Sequence, residues 1–416
     1  MKIRLFTDLR FVTSATPTGV GKHIFHMARG LADSPCCQVS LLAASDQIAN
    51  PGVLSFLPAV RLPLPWKVSS ALWTATSRPY ADRWCGDADW VYCPKNDWIS
   101  LRTKRLAVTI HGAHELDPAM PRSACPMQWL YRLRNRVQYR KMCCRANVIF
   151  TVSEFLKRQV CDWFSADPDK VVVIGNGVDP VYFAAGAAQA PGGTGSVASA
   201  VNGSEYAPST VHRPPSTVHR PPSTVSAPCP LPLPPSAFSL QPSAFPYLLA
   251  VGGLNFLDGG DRVIALGQVM KANGCGMRIK VAGCQHEPGW TQQAAETGVI
   301  DLLGYVPAEQ LALLMRDALA LYYPTRYETF GMAAAEAMAA GTPVITCHST
   351  AVPEIVGDAG IYVDPDDAGQ AMEAILAIQA NSALRLTHVT RGRQRAAAHT
   401  WEACVERLVH ALELRM

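Results

Sequence analysis

Short apolar runs alternate with longer amphipathic stretches along most of this chain. "KIRLFTDL" is followed by "TPTGVGKHIFHMARGLA", which reads as a glycine turn feeding an amphipathic helix. Comparable runs are "QVSLLAA", "WVYCP", "RLAVTIHG", "NVIFTVS" and "VVVIGNG", then "PYLLAVGG", "MRIKVAG", "ALALYYPT" and "PVITC". Buried strands alternating with helices predict parallel sheets covered on both faces. Two sets of them predict an α/β protein of two doubly wound, Rossmann-like domains. In such domains ligands bind beyond the C-terminal ends of the strands.

The pattern breaks over 184–245, where P-S-T-V-H-R-P repeats almost unchanged. Proline fixes φ and removes backbone donors, so this stretch is expected to be an extended or disordered linker. The expected organisation is therefore an N-terminal domain over 1–183, the linker over 184–245 and a C-terminal domain over 246–398. A last helix over 399–416 is expected to cross back to the first domain.

Composition narrows this picture. A chain of 416 residues, 49% hydrophobic, is too long for one core and apolar enough for two. A formal charge of +4 gives no reason to expect nucleic acid. The thirteen cysteines are scattered without a C-x-x-C pair, which favours reduced thiols and a cytoplasmic protein. "MKIRLFTDLRF" interrupts its apolar run with charges, so it reads as a strand rather than a signal peptide. No uninterrupted apolar stretch reaches the ~18 residues of a spanning helix.

The candidate chemistry centres on "ALALYYPTRYETFGMAAAEAMAAGTPVITC". It reads as a buried strand ended by Pro324, a loop, a helix from Met332 to Ala340 capped by Gly341, and a strand after Pro343. Glu328 falls on the loop and Glu336 about one turn into the helix. Amides around Phe330, Gly331 and Met332 form the helix N-terminus, which favours a phosphate. Two carboxylates flanking an anion pocket suit a ligand with hydroxyls at both ends and phosphate between them, a nucleotide-sugar. Glutamates at this spacing alone would more often be two surface residues of a helix; the surrounding strand, turn and caps favour the site.

This stretch resembles the nucleotide-sugar motif of retaining glycosyltransferases of family 4, which have the GT-B fold of two Rossmann-like domains facing across a cleft. "TPTGVGKHI" is similar to that family's N-domain glycine loop, and "VTIHG" to the segment with its active-site histidine. "KVVVIGNGVDPVYF" and "VPEIVGDAGIYVDPDD" extend the resemblance over nearly all of the chain outside the linker. The resemblance implies that Glu328 and His111 lie by the donor sugar and that Glu336 holds ribose hydroxyls. It also implies that Gly19 and Gly21 let backbone approach the diphosphate, and that Tyr305 and Val306 flank the base. The basic pair usual after the first C-domain strand is missing: Gly253, Leu257 and Asp258 stand there, leaving Lys22 and Arg262 as candidates for the diphosphate.

The implied activity is transfer of a hexose, with mannose one candidate, from a nucleotide-sugar to a glycan or lipid-linked acceptor with retention, as in polysaccharide biosynthesis. No metal or other cofactor is expected. The alternatives are a sugar phosphorylase and a non-catalytic or weakened sugar-nucleotide-binding homologue. "TGVGKH" fails as a P-loop because His23 follows Lys22, and as a dinucleotide fingerprint because Ile24 replaces the third glycine. "MQWLYRLRNRVQYRKMCCR" is basic with interleaved Trp129, Tyr131 and Tyr139. It reads either as a solvated helix face or as a surface, over 129–145, for an anionic membrane on its inner face.

Overall fold

The computed structural model describes residues 1–12, 18–49, 51–117, 126–187 and 246–416. They form two units: Met1–Gly177 with His399–Met416, and Val178–Ala398.

The first unit is built on strands β1 (Lys2–Phe6), β2 (Gln38–Ala43), β3 (Ala59–Arg61), β4 (Trp90–Cys93), β5 (Arg105–Ile110), β6 (Val148–Thr151) and β7 (Val171–Val173). All pairs are parallel, in the order β3-β2-β1-β4-β5-β6-β7. The order reverses between β1 and β4, which is where a doubly wound sheet opens its crevice. Its helices are α1 (Gly19–Asp33), α2 (Trp66–Thr76), α3 (Asp82–Cys85), α4 (Pro126–Arg145) and α5 (Glu154–Phe164). Helix α1 buries Ile24, Met27, Ala28 and Leu31, an i, i+3, i+4, i+7 stripe, against this sheet.

The second unit carries β8 (Tyr247–Leu254), β9 (Arg278–His286), β10 (Ile300–Gly304), β11 (Ala320–Tyr323), β12 (Val344–Thr346) and β13 (Gly360–Tyr362). These strands run parallel in the order β10-β9-β8-β11-β12-β13. Its helices are α6 (Pro180–Ala187), α7 (Gly260–Ala272), α8 (Trp290–Thr297), α9 (Ala308–Asp317), α10 (Met332–Ala340), α11 (Val352–Val356), α12 (Ala368–Ala380) and α13 (Ser382–Ala396). Leu248, Ile279, Val281, Tyr322 and Ile345 of the sheet pack with Val263 and Met270 of α7 and Ile375 of α12.

Helix α14 (Trp401–Glu413) returns to the first unit. Its Val405, Leu408 and Leu412 join the core around α1. Gly30 makes this approach possible, since a Cβ there would fall 2.5 Å from Val405 Cγ2.

Two features differ from the sequence expectation. The boundary falls after Gly177 rather than at 183, because α6 packs in the second unit. Gly186 lies so close to α10 that a Cβ would meet Ala339 O at 2.3 Å, and Arg393 donates to its carbonyl at 2.7 Å. Residues 184–187, assigned to the linker, thus complete a helix; 188–245, with the repeat, lie outside the described residues.

Candidate active site

The β11–α10 connection follows the sequence reading closely. The strand ends at Tyr323, Pro324 follows, α10 runs from Met332 to Ala340, and Gly341 caps it at φ +79°. Gly331 precedes the helix at φ +95°, a conformation that only glycine adopts without strain.

Glu328 is held from several sides. Its N–H donates to Thr350 Oγ1 at 2.7 Å and its carbonyl accepts from Ala351 N–H at 3.2 Å. Its carboxylate accepts from the Tyr323 hydroxyl and from Gly331 N–H. Desolvation, helped by the charge of Asp258, pushes its pKa up to about 7 against the pull of those hydrogen bonds. The Gly331 amide is therefore not free for a phosphate, as the sequence reading had it; the carboxylate already uses it.

Glu336 is only 5% exposed, and every residue of α10 from Ala333 onward is buried. A solvated surface glutamate is thus ruled out here. Tyr323 ties the cluster together. Burial, then the charges of Glu328, Asp258 and Glu336, raise its pKa well above the ordinary range. Among the described residues, the charges of three carboxylates thus act on one buried phenol.

Asp258 sits in the tight β8–α7 turn. Gly252, at φ +117°, leaves room for it: a Cβ there would lie 2.3 Å from Asp258 Oδ2. The carboxylate accepts from Asn255 Nδ2 at 2.5 Å, and burial pushes its pKa up. Gly253 is the next residue of β8, and Leu257 accepts from Arg326 N–H through its carbonyl at 2.8 Å. Arg262 lies in the first turn of α7, donating to Asp366 at 2.9 Å and to Pro324 O at 3.0 Å. Arg326 makes a two-pronged contact with Asp261 at 2.6 Å and lies over the Phe256 ring. Tyr305 and Val306 follow β10, Tyr305 half-buried and Val306 buried.

In the first unit, His111 directly follows β5. Its Nε2 lies 2.9 Å from Pro94 O, so that nitrogen carries the proton and Nδ1 is left as an acceptor. Its N–H donates to Asn96 Oδ1 at 2.9 Å. Desolvation lowers its pKa to about 4, so the ring is neutral at ordinary pH. The edge of buried His23 meets it, with centroids 4.4 Å apart, and His23 Nδ1 is 2.8 Å from Asn176 Oδ1. Gly19 opens α1 in the open. Gly21 N–H is capped by Thr18 Oγ1 at 3.1 Å, and a Cβ there would meet Phe11 O at 2.5 Å. Gly21 thus has a packing reason of its own, beside any approach to a ligand. Lys22 follows, half-buried.

Residues 246–381 match the family model described as glycosyl transferases group 1, and residues 17–182 match Glycosyltransferase Family 4. The chain belongs to glycosyltransferase family 4. Over 123 residues it is 37% identical to O-antigen chain mannosyltransferase B of Escherichia coli, which covers 30% of this chain and 32% of that protein. The chain thus spans about a third of that relative's length in the match. Sucrose-phosphate synthase from Thermosynechococcus elongatus superposes with a TM-score of 0.68 at 16% identity, over 100% of this chain and 99% of the other. Anabaena HepE, in complex with UDP and glucose, gives 0.62 at 14% identity over 99% of each. At these identities the likeness is one of fold, and the fold is GT-B.

Within this family 4 chain, several polar residues near the expected site escaped the sequence reading. Beyond β4, Lys95 donates to Asp97 at 2.7 Å, and Asp97 accepts from Thr7 and from Asp8 N–H at 3.0 Å each. Asn96 donates to Gly112 O at 3.2 Å and to Tyr139 Oη at 2.6 Å. The signal available was the polar cluster "KND" directly after a buried strand, the place where α/β sites form. Helix α4 also needs correction. Tyr139 is buried, stacked on Phe164 and donating to Gly112 O at 2.6 Å, and Lys141 donates to Thr74 O at 2.5 Å. Both bind the helix to the body. Trp129, 64% exposed, with Leu130, Tyr131, Leu133 and Val137, does present an exposed apolar surface beside Arg134, Arg136 and Arg140; Arg132 is half-buried. No helix among the described residues is long and apolar enough to cross a membrane, and no group of three or more His, Cys, Asp or Glu among them could hold a metal.

Proposed function

We propose that this family 4 chain transfers a hexose, mannose first among the candidates, from a nucleotide-sugar to a hydroxyl of a glycan or lipid-linked acceptor, with retention. The observation that carries this reading is the pairing of Glu328, locked beside the first turn of α10, with buried Glu336 one turn further on. Glu336 would accept from ribose hydroxyls and Glu328 from hydroxyls of the donor sugar. The N-terminal end of α10 would face the charge that develops on the departing diphosphate. Front-face attack would let that phosphate take the acceptor's proton. Neutral His111, with Nδ1 free to accept, suits a sugar hydroxyl better than a phosphate. The mannose preference is supported by the E. coli mannosyltransferase relative.

A lipid-linked acceptor gives the exposed apolar and basic face of α4 a role, in a protein at the cytoplasmic face of a membrane. Sedimentation with anionic but not neutral vesicles, reduced by Trp129→Ala, would support that role; equal sedimentation with both would refute it.

The test is a transfer and hydrolysis assay with several UDP- and GDP-sugars, run with and without chelator. We expect transfer to persist in chelator. Loss restored by Mg²⁺ or Mn²⁺ would overturn the metal-free reading. Phosphorolysis without nucleotide would identify a sugar phosphorylase. Binding without turnover would identify a sugar-nucleotide-binding homologue, a reading that Asp258, a half-buried carboxylate where a cation is usual, favours.

Asp258 supplies its own prediction. Asp258→Lys removes a negative charge from beside Glu328 and adds a cation at the β8–α7 turn. Nucleoside diphosphate affinity should rise by ~1–2 kcal/mol, the range of one charge-assisted hydrogen bond. The bare nucleoside should bind both forms alike. Unchanged diphosphate affinity in a folded variant would mean that position 258 does not reach the phosphates.

A further inference from the structure

The second unit holds a cavity of about 650 Å³ at the C-terminal ends of β11, β12 and β13. It is lined by Arg262 and Arg326, by Ser349 and Thr350 after β12, and by Tyr362 and Asp364 around the end of β13, among others. None of Glu328, Gly331 and Glu336 lines it; of the candidate donor residues only Arg262 does, with its guanidinium paired to Asp366 at 2.9 Å, so the cavity lies beside the donor site proposed above. We propose that this cavity is a second carbohydrate site, which takes a neutral pyranose ring flat against a His348–Tyr362 stack.

The two rings lie nearly parallel, 13° apart in plane, with centroids 4.2 Å apart. His348 is exposed, so the stack offers a ring face to solvent at the cavity wall. A flat aromatic face suits the carbon-bound hydrogens of a pyranose, while hydroxyls around its rim need directed polar partners. The wall supplies them. The Tyr362 hydroxyl is buried and has no hydrogen-bond partner among the described residues. Among the described residues, Thr350 Oγ1 and Ser349 Oγ each make one hydrogen bond, to Glu328 N–H and Arg326 O, and keep capacity for another. Asp364 is exposed, and Asp366 N–H occupies only one of its oxygens, at 3.0 Å.

Charge argues for a neutral guest. Arg262 is paired with Asp366 at 2.9 Å and Arg326 with Asp261 at 2.6 Å, so neither guanidinium stands as an unbalanced cation for a phosphate. The cavity is also coupled to the donor loop. Thr350 holds the Glu328 backbone and Ser349 holds that of Arg326, so a sugar gripped here would stiffen the segment that carries Glu328. The assignment to sugar rests on the glycosyltransferase reading for its ligand class, but its test does not require turnover.

The experiment is saturation-transfer NMR on the full chain, with methyl α-mannopyranoside and methyl α-glucopyranoside as probes. Titrations are run with and without saturating UDP or GDP. At least one glycoside should bind whether or not nucleotide is present. His348→Ala and, separately, Asp364→Asn should weaken it at least about tenfold, with nucleoside diphosphate binding unchanged. Displacement by nucleoside diphosphate, displacement by inorganic phosphate, insensitivity to both substitutions or absence of glycoside binding would each overturn the proposal. Nucleotide binding is read in the same samples. Its absence would count against the donor site and leave the glycoside result standing.

Discussion

Replacing Glu328 by Gln is expected to lower transfer by on the order of 10²-fold or more, as for loss of one preorganised polar contact at a reacting centre. Nucleoside diphosphate should still bind nearly as well, because this carboxylate is assigned to the sugar. Two pH signatures accompany the loss. With a pKa of about 7, Glu328 changes charge within the working range, so wild-type turnover should rise with pH through about 7 as the carboxylate forms. The residual activity of the variant should lack that step. Stability should move the other way. The pKa is raised from an ordinary 4.5, so the folded state holds this proton more tightly than the unfolded chain. That contribution is complete below pH 4.5 and lost as pH climbs to about 7. Glu328→Gln should therefore melt higher than wild type above pH 7 and gain nothing below 4.5, an effect reduced by the half-exposed position of the side chain. A variant with lower stability at pH 8 and parallel losses of turnover and nucleotide affinity would show Glu328 to be a structural residue instead.

The trade of stability for reactivity proposed for Glu328 would account for the legibility of the motif. A carboxylate in an apolar, alanine-rich setting breaks the local pattern, and such breaks mark sites. The central strands were legible for the opposite reason. Strands such as β1, β4, β8 and β11 are packed on both faces, so their apolar runs are nearly continuous. The three strands missed, β3, β10 and β13, are all sheet edges. Ala59–Arg61 and Gly360–Tyr362 are three residues each and partly exposed, and Ile300–Gly304 contains Asp301 and exposed Leu302, so none shows a buried run. Side-chain direction was the other gap. Sequence alone placed Tyr139 among surface aromatics, yet a helix has a buried face as well as a basic one, and Tyr139 falls on it. Nor could spacing show that Asp258 turns inward over Gly252 toward Tyr323 and Glu328, since that depends on a glycine at φ +117°. His23 and Asn176 are 153 positions apart and meet only through the sheet.

Glu336→Ala is expected to weaken nucleotide binding by ~1–3 kcal/mol, the cost of losing hydrogen bonds to a charged acceptor. The helix itself should persist. Ala333, Ala334, Ala335 and Ala337 surround the position, and alanine is the best helix former. Removing a side chain that is only 5% exposed will carry some cost in stability as well, so affinity alone does not identify the role. The ligand can be cut instead. If Glu336 accepts from the ribose, wild type should discriminate strongly between a nucleoside diphosphate and its 2′,3′-dideoxy analogue, since the analogue leaves a buried carboxylate without its partners. In Glu336→Ala that discrimination should nearly vanish, because the acceptor is gone from the protein as its donors are from the ligand. The two changes then form a double-mutant cycle with one partner on each side, which separates a direct contact from a general loosening of α10. A structural role predicts the reverse: both ligands weaken equally and the ratio between them stays at its wild-type value. Glu328→Gln serves as the internal control, since its assigned contact is with the sugar. Its ribose discrimination should match wild type even though its turnover falls. A lost ratio in Glu328→Gln and a retained one in Glu336→Ala would exchange the two assignments and place the sugar at α10.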